Sequence, residues 1–157
     1  MQKKIRKYVI AGGGTAGWMA AAMLSKTMGK EISITLVESD ALGTIGVGEA
    51  TIPNIRYFNQ MLGIDEAELM RRTKATIKLG IEFCDWGRIG DRYIHPFGAY
   101  GDKIGPADFH QYWIKSKLAG FESDFDNFCY PIVLARQNRF EEPGDANQGG
   151  PLAYSYA

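Results

Sequence analysis

A short apolar run, Tyr8-Val9-Ile10-Ala11, leads straight into Gly12-Gly13-Gly14-Thr15-Ala16-Gly17, and the small residues that follow predict a helix from Ala16 to Met28. A strand, a glycine-rich turn and a helix in that order restrict the chain to a βαβ unit whose turn can hold a phosphate-bearing nucleotide. Gly12 permits the tight turn, Gly14 lets backbone approach a pyrophosphate, and Gly17 lets the helix pack closely on the sheet. Unpaired N–H groups and the positive dipole end at the start of the helix attract the phosphates. A second predicted strand, Ile32 to Val37, ends at Glu38, about 20 positions past Gly17, where this fold sets a carboxylate on the adenosine ribose. A carboxylate there repels a 2′-phosphate, which disfavours NADP and leaves FAD and NAD.

Composition sets the outer limits. The 157 residues are 45% hydrophobic and 12% aromatic, enough for one α/β domain with a core. Eighteen basic side chains balance eighteen acidic ones, so the chain has no electrostatic footprint for nucleic acid or an anionic membrane surface. No apolar run approaches membrane-spanning length, and the one behind the basic start (Lys3, Lys4, Arg6, Lys7) is too short for a signal-peptide core. Cys84 and Cys129 form neither C-x-x-C nor a metal-ligand spacing. They read as reduced thiols of a cytoplasmic protein, with no metal site.

Beyond Glu38 a loop punctuated by glycines runs to Gly46-Val47-Gly48-Glu49-Ala50-Thr51-Ile52-Pro53. Pro53 suits the first turn of a helix over Asn54 to Leu62. Asp65, with Glu68 three residues on, opens a second helix. Ile77, Leu79, Ile81 and Phe83 alternate with Lys78, Gly80, Glu82 and Cys84, predicting one strand with one apolar face. The turn Gly87 to Asp91 predicts a hairpin back through Arg92-Tyr93-Ile94-His95. Asp108 is placed to cap a helix through Leu118, closed by Gly120, and the polar, glycine-rich stretch from Phe140 to Gly150 predicts an exposed loop. A flavin is usually wrapped by strands from a longer chain, so the sequence reads as the N-terminal piece of an incomplete module.

The segments GGGTAGWMAA, IGVGEATIP, ATIKLGIEFCDW and YIHPFG, in this order, resemble the flavin-dependent tryptophan halogenases over nearly the whole chain. The resemblance implies a Rossmann-like FAD module of the flavin monooxygenase type with an inserted substrate region, residues 1–53 being the dinucleotide-binding βαβ and flavin loop and residues 54–157 the start of the substrate-side region. It also implies reduced FAD delivered by a separate flavin reductase, oxygen and halide as co-substrates, and a flavin hydroperoxide that yields hypohalous acid. That acid travels through a tunnel to chlorinate or brominate an electron-rich ring such as tryptophan or another indole.

The same resemblance assigns residues. Lys78 is the catalytic lysine at the end of the tunnel, where an ammonium hydrogen-bonds hypohalous acid or an amine becomes a haloamine. His95 and Phe97 fall where the family sandwiches the substrate ring. Ser39, Ile45, Val47 and Ala50 match positions lining the flavin, with Leu42 a conservative departure, beside Gly12, Gly13, Gly14, Thr15, Ala16, Gly17 and Glu38 of the nucleotide fingerprint. The family's W-x-W-x-I-P motif and the glutamate that partners the lysine are not among these residues. An ordinary FAD-dependent hydroxylase and a non-catalytic cofactor-binding fragment therefore stand as alternatives.

Overall fold

A computed structural model describes residues 4–43, 50–141 and 153–157. The chain divides into two compact units. One holds the described residues up to Gly43 together with Arg56–Leu69; the other holds Ala50–Ile55 and the described residues from Met70 to Ala157.

In the first unit, β1 (Lys7–Ala11) and β2 (Ser33–Val37) pair in parallel, with Tyr8 opposite Ile34 and Ile10 opposite Leu36. Helix α1 (Thr15–Met28) connects them, ending at Gly29, which takes φ +54° and returns its N–H to the Ser25 carbonyl. This is a Rossmann-type α/β crossover, as the fingerprint predicts. Alternation sends Tyr8, Ile10, Ile34 and Leu36 toward α1, whose Gly17 sits against Ile10. Only one face of the β1–β2 pair is covered. Val9 is 72% exposed and Val37 53% exposed, because parallel strands are buried on both faces only when helices cover both, and a single crossover helix covers one.

Two helices follow, α2 (Asn54–Leu62), starting just after Pro53, and α3 (Glu66–Thr73). Asp65 caps α3 as expected, accepting the Glu68 N–H at 2.8 Å.

In the second unit the predicted single strand over 77–84 is two strands. Ile77–Lys78 (β3) and Gly80–Cys84 (β4) belong to different sheets. The break falls at Leu79, which is buried and whose carbonyl accepts the Phe97 N–H at 3.0 Å. β4 forms the expected hairpin with β5 (Arg92–Pro96), Ile81 opposite His95 and Phe83 opposite Tyr93. Its turn is held by the Gly90 N–H on the Asp85 carboxylate. Helix α4 (Phe109–Leu118) begins at Asp108, but the Asp108 carboxylate does not cap it. It pairs with Lys103 at 3.1 Å instead. Gly120, at φ +92°, closes the helix on the Lys117 carbonyl.

Helix α5 (Tyr130–Arg136) carries Ile132 and Leu134 into the core beside Cys129, Tyr154 and Tyr156. Around α4, Phe125 stacks on Tyr100 with ring centres 4.1 Å apart, and Trp113 tilts against it at 5.0 Å. Burial, with the Asp126 carboxylate beside it, pushes the Tyr100 phenol up to about 12, so it stays a hydrogen-bond donor. The last strand, β6 (Ser155–Tyr156), was not visible as a strand in the sequence. It pairs antiparallel with β3, Lys78 opposite Ser155.

Candidate functional site

The nucleotide cradle lies in the first unit. A solvent-open cleft of about 840 Å³ is lined by Gly12, Gly13, Gly14, Thr15, Glu38 and Ser39, with Leu42 and Trp18 at its wall. Gly12 takes φ +119°, a conformation that favours glycine, and its N–H reaches the Val37 carbonyl at 2.8 Å. No side chain caps α1 at Gly14, and the first intrahelical N–H is that of Trp18. The donors of the first turn are therefore available to an anion.

Glu38 follows β2 directly, and its carboxylate lies against Gly13. A β-carbon at Gly13 would fall 1.7 Å from Glu38 Oε2. Ser39 turns its hydroxyl to the Ala41 N–H at 3.3 Å. Gly17 faces away from the cleft; a β-carbon there would meet the Gly12 carbonyl oxygen at 1.9 Å. Ala16 sits in the first turn of α1, and Ala50 belongs to the other unit. Ile45 and Val47 lie outside the described residues. Bare backbone, free helix donors and one carboxylate suit the pyrophosphate and ribose of a dinucleotide. Trp18, a half-exposed ring on the cleft wall, is a lining residue that the fingerprint itself does not signal.

The lysine site lies in the second unit. Lys78, on β3, is half-buried and donates from Nζ to the Thr51 carbonyl at 3.1 Å. Its ammonium stands 5.5 Å from the centre of the Phe97 ring, within cation–π range. The structure thus brings two of the sequence-predicted residues together. His95 is exposed on β5, opposite Ile81, and joins neither contact.

A cleft of about 490 Å³ runs beside β3, with Glu82 and Arg136 on its wall together with Lys78. Both of those neighbours are engaged elsewhere. Hydrogen bonds from the Arg92 guanidinium hold the Glu82 carboxyl below the usual carboxylate range. Arg136 pairs with Asp126 at 2.5 Å and Asp124 at 3.8 Å. Of these cleft cations, Lys78 is the one whose described polar contact is a single neutral carbonyl, which leaves two N–H groups for a further acceptor. No group of three or more His, Cys, Asp or Glu able to hold a metal occurs among the described residues.

The family model for tryptophan halogenase matches residues 7–157. The chain belongs to the tryptophan halogenase family. Among its relatives, the tryptophan 6-halogenase SttH of Streptomyces toxytricini is 44% identical over 81% of this chain and 24% of its own length. The tryptophan 7-halogenase RebH of Lentzea aerocolonigenes is 39% identical over 85% of the chain and 28% of its own. Among solved structures, the flavin-dependent halogenase Xcc4156 of Xanthomonas campestris superimposes with a TM-score of 0.89 at 46% identity, over 98% of this chain and 30% of that one. BrvH, a flavin-dependent halogenase of Brevundimonas sp. BAL3, gives 0.86 at 40% identity over the same shares. This member of the tryptophan halogenases therefore spans less than a third of the length of each of these relatives.

Proposed function

We propose that the whole protein halogenates an electron-rich aromatic ring, tryptophan or another indole, with FAD as cofactor. The observation that carries this reading is the Lys78 ammonium, held on a backbone carbonyl and against the Phe97 ring in a chain of this family. Reduced FAD, delivered by a separate flavin reductase, would give two electrons to oxygen, and halide would give the other two in becoming hypohalous acid, leaving water and oxidised FAD.

The remaining chemistry falls to the residues. The Gly12–Thr15 turn and the first turn of α1 hold the pyrophosphate, and Glu38 accepts the ribose hydroxyls. Ser39, Leu42, Ile45, Val47 and Ala50 line the flavin. Lys78 donates an N–H to the oxygen of hypohalous acid, which draws electron density from the halogen and makes it a stronger electrophile. Phe97 and His95 offer planar faces that orient the ring and exclude water. In chlorination or bromination the carbon–halogen bond then forms as the halogen–oxygen bond breaks, and the ring proton leaves with the hydroxide as water. The exposed thiol of Cys84 and the buried thiol of Cys129, both unpaired, suit a reducing, cytoplasmic setting. No helix among the described residues is long and apolar enough to cross a membrane.

The test is mass spectrometry of products from the whole protein incubated with a flavin reductase, FAD, NADH, chloride or bromide, and a panel of indoles and phenols. A halogen isotope pattern on an indole is the expected result. A product heavier by one oxygen and free of halogen would overturn the reading in favour of a hydroxylase. No product despite bound flavin would leave a cofactor-binding module.

A narrower prediction concerns Glu38. Glu38→Ala removes a charged acceptor from the ribose, a loss of about 1.5–3 kcal/mol, so the dissociation constant for FAD should rise roughly 10- to 150-fold. Unchanged affinity in a fluorescence titration would take Glu38 off the ribose.

A further inference from the structure

The hydrogen bond that orients Lys78 ends on a residue that is itself fixed with unusual completeness. The Thr51 N–H donates to the Tyr156 carbonyl at 2.9 Å, and the Tyr156 N–H donates to Thr51 Oγ1 at 3.0 Å. Thr51 Oγ1 also donates to the Tyr156 carbonyl at 2.9 Å and is hydrogen-bonded to Ser155 Oγ. With its own proton committed to Tyr156, the Thr51 hydroxyl accepts from the Tyr156 N–H and from Ser155, which fills its one donor and two acceptor positions.

Ser155 is fully buried and is the β-partner of Lys78. A closed circuit results: the Lys78 backbone pairs with Ser155, Ser155 bonds Thr51, and Thr51 receives the Lys78 ammonium. A saturated, partly buried polar network of this kind specifies one geometry, because a member that moves leaves its partners unsatisfied.

We propose that Thr51 is a positioning residue for Lys78: its hydroxyl, locked on Ser155 and Tyr156, fixes the carbonyl that aims the ammonium. The proposal rests on the catalytic reading of Lys78. It adds a role for a side chain that never touches the reacting atoms.

The experiment compares Thr51→Val, Thr51→Ser, Ser155→Ala and Lys78→Ala in the whole protein with its reductase. Four quantities are read: halogenated product per reduced FAD oxidised, KM for the aromatic substrate, FAD affinity and melting temperature. Valine keeps the β-branched shape and loses the hydroxyl. Because displacing a reacting group by about 1 Å costs on the order of a hundredfold, Thr51→Val should lower product per flavin oxidised roughly 10- to 100-fold. FAD affinity and KM should stay within about twofold. Thr51→Ser should restore most of the yield, and Ser155→Ala should lose part of it.

Wild-type yield from Thr51→Val, beside an inactive Lys78→Ala, would overturn the positioning role and leave the lysine reading intact. Wild-type yield from Lys78→Ala would overturn both. Loss of FAD binding in Thr51→Val would move Thr51 to the cofactor site and also overturn the proposal. Should the valine variant not fold, Ser155→Ala decides: full yield there counts against the network.

Discussion

Lys78→Ala is expected to abolish halogenated product while reduced FAD is still oxidised by oxygen at nearly the wild-type rate. Lys78 is proposed to act on the halogen species after flavin oxidation, and its described contacts are the Thr51 carbonyl and the Phe97 ring. Removing a positioned proton donor typically costs about 10²–10⁴-fold, so product should fall by at least about a hundredfold. Lys78→Met keeps the length and removes the amine, and it should fail likewise, which separates chemistry from bulk. Lys78→Arg should not rescue, because a planar, permanently charged fork neither matches the ammonium's geometry nor becomes a nucleophilic amine. Product formation by the alanine variant at a rate close to wild type would sink the assignment. Collapse of flavin oxidation in the same variant would place Lys78 in the cofactor site.

The second large effect is a contrast between two glycines of the cradle. At Gly17 a β-carbon would sit 1.9 Å from the Gly12 carbonyl oxygen and 3.1 Å from its carbon, both backbone atoms of the turn. Neither α1 nor the turn can give way cheaply, so Gly17→Ala should destabilise the protein and abolish FAD binding together. At Gly14 a β-carbon meets nothing within 4 Å, and the backbone, at φ −73° and ψ 178°, is one that alanine adopts freely. Gly14→Ala should therefore fold with an unchanged melting temperature. Yet it should weaken FAD binding by more than about tenfold, because the added methyl occupies the space into which the pyrophosphate must come. Thermal melts paired with FAD titration distinguish the two. If Gly14→Ala binds FAD like wild type, the pyrophosphate does not approach that residue.

The parts of the molecule legible in the sequence are those specified by neighbours along the chain. The β1–turn–α1–β2 unit needs only an apolar run, glycines at fixed offsets and a small-residue helix, all within the stretch from Lys7 to Glu38. The β4–β5 hairpin follows from period-two alternation and a glycine-bearing turn. Alternation also misled, because it continues unbroken through Leu79 while the chain changes sheets there. What decides that break is the Phe97 N–H on the Leu79 carbonyl, a partner distant in sequence. Asp108 shows the same limit: its position signals a cap, and a nearby lysine takes the carboxylate. Of the lysine site, Lys78 and Phe97 were readable through the family's motifs. Thr51 was quoted within a motif but carried no sign of its role, since its partners Ser155 and Tyr156 form a two-residue ladder, too short for any periodicity.

That ladder also bears on the order in which the chain acquires its parts during synthesis. Thr51 and Ser155 are 104 positions apart, a separation whose closure entropy must be met before the contact stabilises anything. At about 5–20 residues per second, translation needs roughly 5–20 s to deliver Ser155 after Thr51 has been made. The turn and helix of the nucleotide cradle depend on contacts within the first 38 residues and can form during that interval. The acceptor that aims Lys78 cannot be secured until β6 has left the ribosome, so a nascent chain has its nucleotide fingerprint in place well before its lysine is aligned.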